Sequence, residues 1–271
     1  MSTADAPSSA GAPRFAGTTV FLTGTGQGQG RRAALRFAAE GANVLGGDLH
    51  HEPALKTVAL AEGMPGSVLD VGPLDVTDET AVAAWIAAGV ERLGRPDVLY
   101  NNAGSVRWGS IDTQPYADWT HTLRSELDSV FLVTKHAWPH LIFTRGCVIN
   151  IASTAGLRGS LTNARVAHSA SKAGVIGATR QLAAEGAGYG IRVNVISPGM
   201  IDTEGAQDIL AAPEHPMSRI ARHIPLGRLG TADDVVNLAL FLASDQAGYI
   251  TGANFVVDGG WSAVLPFGAE P

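Results

Sequence analysis

From Thr18 onward, short runs of β-branched and aliphatic residues alternate with alanine-rich stretches, and this alternation restricts the possible folds most. "TTVFLTG" reads as a strand, "GRRAALRFAAEGA" as a helix with apolar Ala34, Leu35, Ala38 and Ala39, and "NVLGGDL" as a second strand. The cycle returns through "DVLYNNAG", "CVINIAS", "IRVNVISPG" and "NFVVDGG". Strands with continuous apolar runs need cover on both faces, and helices connecting parallel strands supply it. No linker or fixed-period repeat divides the chain between Phe15 and Ser262. The pattern predicts a single α/β domain over 16–271, a doubly wound parallel sheet with helices on both faces. A small, polar, Pro-rich segment, "MSTADAPSSAGAPRF", reads as a disordered tail over 1–15.

With 271 residues, 45% of them hydrophobic, the chain can fill a sizeable core. Its formal charge of −6 argues against a nucleic-acid partner, because phosphate backbones require a basic patch. One cysteine, Cys147, excludes a disulfide framework and a thiolate metal cluster, and fits a reducing cytoplasm. Neither a signal-peptide pattern nor a run of about eighteen apolar residues is present, so no membrane partner is expected.

"TGTGQGQG" at 23–30 follows the first strand and opens the first helix. Gly24, Gly28 and Gly30 allow a tight turn and a close approach to a pyrophosphate at the helix N-terminus. Asp48, at the end of the second strand, can accept both ribose hydroxyls of NAD and would repel the 2′-phosphate of NADP. Arg31 and Arg32 weigh the other way, but NAD is the expected cofactor. This is a Rossmann-like arrangement.

From about Gly17 to Ser262 the chain resembles the short-chain dehydrogenase/reductase family of the classical type. The glycine loop resembles that family's cofactor loop, which implies nucleotide contacts from Gln27 and Gln29 beside the three glycines, and from Leu49 beside Asp48. "LDVTD" resembles the segment whose Asp75 and Val76 would meet the adenine. "NNAG" corresponds to the family's motif after strand four, implicating Asn102, Ala103 and Gly104. "SPGMIDT" resembles the loop that cradles the nicotinamide, implicating Pro198, Gly199, Ile201 and Thr203. The ending "GYITGANFVVDGGWS" is similar to a strand usually buried in a tetramer interface, which implies a homotetramer.

The family's catalytic set is Asn, Ser, Tyr and Lys. Ser153 in "NIAST" and Lys172 in "SASKAG" match it, which implies that Ser153 polarises the substrate oxygen and that Lys172 binds and positions the cofactor. The tyrosine does not: the residues four before Lys56, Lys135 and Lys172 are Glu52, Phe131 and His168. The asparagine position, bracketed by Trp119 and Phe131, holds Glu126. His168 thus stands where the family's proton-transferring tyrosine would be. Imidazole ordinarily titrates near ~6.5, and a second positive charge beside Lys172 is disfavoured, so a neutral, proton-accepting His168 is expected. That suits oxidation of an alcohol. Glu126 is expected to pair with Lys172 or to relay protons. No third ligand at a telling spacing accompanies His168 and Glu126, so no metal is expected.

These residues imply an NAD-dependent oxidoreductase interconverting a secondary alcohol and a ketone. Non-redox acid–base chemistry (elimination, hydration or isomerisation) and a catalytically silent NAD-binding subunit remain alternatives. A small, apolar or cyclic substrate is expected. The segment from Glu204 to Arg222 falls where the family has its variable lid, with Ile209, Leu210, Met217 and Ile220 as a candidate apolar wall. Trp108 and Arg158 are further residues able to reach a substrate, and His50 and His51 read as solvated loop residues.

Overall fold

The computed structural model describes residues 13–161, 163–204 and 216–264, without side-chain detail at 216–218. The principal strands are β1 (Thr19–Thr23), β2 (Asn43–Gly47), β3 (Ser67–Asp70), β4 (Val98–Asn101), β5 (Cys147–Ile151), β6 (Arg192–Pro198) and β9 (Asn254–Val257). They form one parallel sheet in the order β3-β2-β1-β4-β5-β6-β9. A minimal parallel pair, β7 (Ile201–Asp202) and β8 (Gly230–Thr231), lies outside it. The helices are α1 (Gly28–Ala39), α2 (His51–Leu60), α3 (Glu79–Leu93), α4 (Tyr116–Leu123), α5 (Ser129–Thr144), α6 (Val166–Ala187) and α7 (Ala232–Ala243).

Alternation along each strand explains the continuous apolar runs. On β1, Val20 and Leu22 enter one core with Phe37, Tyr100 and Leu240, whereas Phe21 enters the other with Trp85 and Leu141. On β5, Cys147, Ile149 and Ile151 join the first core and Val148 the second. Successive side chains point to opposite faces, so a strand covered by helices on both sides must be apolar throughout. Burial pushes the Cys147 thiol up to about 11, which leaves it an inert core residue. Two helix starts are fixed by side chains. Asp78 accepts from the amides of Thr80 and Ala81 at the start of α3, and Thr231 with Asp234 forms a capping box on α7.

Chain order reverses at β1, which lies between β2 and β4, so a crevice forms beyond the carboxyl ends of these strands. Thr23, Asn101 and Ile151 end there and deliver the glycine loop, the "NNAG" segment and Ser153 to the same edge.

Two expectations need correction. Phe15 was assigned to the tail, yet it is buried, stacks edge-on against Phe37 with centroids 5.1 Å apart, and donates its amide to the Glu40 carbonyl. The ordered domain therefore begins before residue 16; residues 1–12 lie outside the described residues. His51 is exposed as expected, but it opens α2 rather than lying in a loop, and its Nδ1 is 2.9 Å from the buried Asp70 carboxylate. Ile209 and Leu210 of the expected lid lie outside the described residues, as does the side chain of Met217. No helix among the described residues is long and apolar enough to cross a membrane.

Replacing Phe15 with Ala should destabilise the protein by about 3 kcal/mol in urea unfolding, the usual cost of emptying a buried aromatic site. A tail residue would give no measurable change.

Candidate active site

The glycine loop is shaped from three sides. Gly24 and Gly28 adopt φ of 79° and 53°, the left-handed region that favours glycine. A Cβ on Gly30 would collide with the Gly24 carbonyl, so the first turn of α1 can pass this close to the loop only without a side chain. The Thr23 hydroxyl accepts from the amides of Asn102 and Ala103, and the Asn102 side chain donates to the carbonyls of Thr23 and Gly24. Asp48 Oδ2 accepts from the Gly26 amide at 2.7 Å, and Oδ1 from the His50 amide at 2.9 Å. Asp48 thus ties the loop to the end of β2 while two of its roughly four acceptor sites stay free. Leu49 is exposed beside it.

Leu74 donates its amide to the Asp48 carbonyl, which brings exposed Asp75 and buried Val76 against the same sheet edge. Asp75 caps the turn through the Thr77 amide and hydroxyl. At the other side, Pro198 ends β6, and Gly199 packs so closely on Asp258 that a Cβ there would lie 2.6 Å from the Asp258 Cβ. Ile201 is buried in β7, and Thr203 packs on Gly28. A dinucleotide fits this framework by two tests. Gln27, at the N-cap of α1, makes no side-chain cap, and the Gln29 side-chain oxygen is buried without a partner.

The second cluster sits beyond β4 and β5. Between α4 and α5 the backbone makes a π-helical turn over Arg124–Asp128, with Glu126 buried in it. A π turn shifts the facing of the residues it contains, and such turns recur at functional sites. Glu126 touches two α6 residues one helical turn apart. His168 Nδ1 lies 2.9 Å from both carboxylate oxygens, and Lys172 Nζ lies 3.5 Å from Oε1. Lys172 also donates to the Ile151 carbonyl at 3.1 Å. Gly104 leaves room for this cluster, since a Cβ there would lie 3.4 Å from Glu126 Cγ.

The expected Glu126–Lys172 pairing is therefore present, but the nearer partner of Glu126 is His168. A carboxylate only accepts, so this contact calls for a proton on Nδ1, which in a neutral ring makes Nε2 the bare nitrogen. Ser153 follows Ile151 by two residues and accepts the Ala155 amide on Oγ, which leaves its own proton available to donate. Beneath them, Asn101 bonds Asn150 and Thr134, and Asn150 bonds Thr179, a buried network joining the ends of β4 and β5 to α5 and α6.

Trp108 packs edge-on against the His168 ring with centroids 5.4 Å apart and stays half exposed. Arg158 instead donates to the carbonyls of Trp261 and Ser262, holding the C-terminal segment. Tyr100 cannot replace the missing tyrosine: it is wholly buried, and burial raises its phenol far above the ordinary value. Among the described residues no group of three or more His, Cys, Asp or Glu could hold a metal. The Thr23 hydroxyl and Glu204 escaped the sequence reading. Thr23 looks like a strand residue, and nothing local in the sequence marks Glu204.

Residues 24–262 match the family profile described as Enoyl-(Acyl carrier protein) reductase. The 3-oxoacyl-[acyl-carrier-protein] reductase FabG of Thermotoga maritima is 39% identical over 248 residues, covering 91% of this chain and 98% of that protein. The meso-2,3-butanediol dehydrogenase of Serratia marcescens is 38% identical over 251 residues, covering 92% and 96%. The crystal structure of levodione reductase superposes with a TM-score of 0.87 at 34% identity, covering 93% of this chain and all of that one. With this sheet order and these relatives, the chain belongs to the short-chain dehydrogenase/reductase family, whose members are NAD(P)-dependent oxidoreductases.

Proposed function

We propose that this protein is an NAD-dependent oxidoreductase interconverting a secondary alcohol and its ketone, with His168 as the proton acceptor and donor. One observation carries the reading: Glu126 holds Nδ1 of His168 at 2.9 Å, which leaves Nε2 as a free base one helical turn from Lys172. The relatives named for 3-oxoacyl reduction and butanediol oxidation support alcohol–ketone chemistry on a small molecule.

Bound NAD would supply the hydride acceptor. In oxidation, Ser153 donates its hydroxyl proton in a hydrogen bond to the substrate oxygen and holds it in place. Nε2 of His168 removes the hydroxyl proton, and Glu126 stabilises the imidazolium that results. Lys172 balances Glu126 while the imidazole is neutral, so the carboxylate never stands buried and unpaired. In reduction the same imidazolium returns the proton. Trp108, beside the reacting ring, supports an apolar or cyclic substrate.

NAD rather than NADP is favoured by Asp48, whose carboxylate at the end of β2 would repel a 2′-phosphate. We expect a cytoplasmic homotetramer. Exposed Tyr116, Phe131 and Phe143 on α4 and α5 support association.

Two variants test the assignment. His168→Ala should lower kcat/KM for alcohol oxidation by about a hundredfold or more, while NADH affinity by fluorescence titration stays unchanged. Loss of cofactor binding in parallel would mean a structural role, and product formation without NADH turnover would favour elimination, hydration or isomerisation. Glu126→Gln should lower kcat by about tenfold and move the acidic limb of the pH–rate profile to lower pH, because the imidazolium loses its counter-charge. An unmoved limb would remove Glu126 from the proton-transfer apparatus.

A further inference from the structure

The candidate cofactor loop already holds an anion, supplied by the chain itself. Helix α1 has no acidic residue in its first turn and no side-chain cap from Gln27, so its leading amides lack local acceptors. The Gly28 amide donates instead to Glu204 Oε2 at 3.0 Å, across 176 residues of sequence. The other carboxylate oxygen, Oε1, lies 3.5 Å from Arg31 Nη1. Thr203, the residue before, packs its methyl group over Gly28, so the stretch following β7 rests on the opening of α1. Facing a helix N-terminal amide and a guanidinium, the Glu204 carboxylate makes the contacts a phosphate group would make there.

We infer that Glu204 competes with the phosphates of the nicotinamide dinucleotide for the Gly28 amide and the Arg31 guanidinium, and so sets cofactor affinity. The inference rests on the dinucleotide-binding reading of this loop and adds a residue to it. Glu204 cannot keep this position when a phosphate arrives, because two negative charges would share the same donors. The Glu204 side chain is 55% exposed, so the pair it makes with Arg31 is weak and readily exchanged. Its effect is therefore a moderate handicap on binding rather than a block. The handicap applies only to ligands that carry a phosphate.

Isothermal titration of the full chain with NADH, ADP and adenosine tests this in wild type, Glu204→Gln and Glu204→Ala. Both variants should bind NADH and ADP about threefold to tenfold more tightly than wild type. Adenosine, which has no phosphate, should bind all three proteins equally. The advantage for ADP should shrink as salt is raised, since screening weakens the competition. Unchanged or weaker NADH and ADP binding in both variants would overturn the inference, as would an equal gain for adenosine. NADH binding with equal affinity throughout would leave the dinucleotide reading intact and refute only the role of Glu204. Failure of NADH to bind any of the three proteins would refute both.

Discussion

A carboxylate buried between two basic side chains is the interaction on which the rest of the site depends. Glu126 is 3% exposed, and a carboxylate so enclosed persists only if it is paired. The pairing comes from α6, where His168 and Lys172 stand one turn apart and both reach it. The π turn at Arg124–Asp128 is the backbone device that gives Glu126 its place opposite them. Each member constrains the others. In the proposed function Lys172 neutralises Glu126, Glu126 fixes the proton on Nδ1 of His168, and the fixed proton leaves Nε2 as the base. In the same proposal, histidine at the family's tyrosine position works with glutamate at its asparagine position, and the two side chains lie 2.9 Å apart.

The glycine loop follows a similar logic of shared restraint. Thr23, Asn102 and Asp48 hold it from β1, β4 and β2 respectively, and Glu204 approaches from the segment after β7. Four separate stretches thus meet on a loop that has few side chains of its own. This is the expected solution where backbone amides must remain close to a ligand and side chains would obstruct it.

Much of this was legible in the sequence because it is periodic or local. The alternation of apolar strands and alanine-rich helices predicted the doubly wound sheet, and the spacing of Gly24, Gly28 and Gly30 located the loop. Ser153 and Lys172 could be identified from short motifs. What the sequence concealed depends on contacts between distant residues. Nothing near Glu126 announces that it lies 42 positions before its closest partner, so pairing with Lys172 was expected while contact with His168 was not. Asp48 was read as a ribose ligand, and its hold on Gly26 could not be seen from β2 alone. Phe15 follows a polar, Pro-rich segment and took that segment's character, although its ring belongs to the core beside Phe37.

The proposed proton transfer depends most directly on the protonation pattern of one imidazole. Long-range nitrogen–proton correlation NMR on protein carrying 15N-histidine, with His168 assigned by its loss in His168→Gln, reports which ring nitrogen bears the proton near neutral pH. The expected result is a proton on Nδ1 and a bare Nε2 in the wild type. A neutral ring protonated on Nε2 would contradict it, because the nitrogen assigned as the base would then have no lone pair to offer.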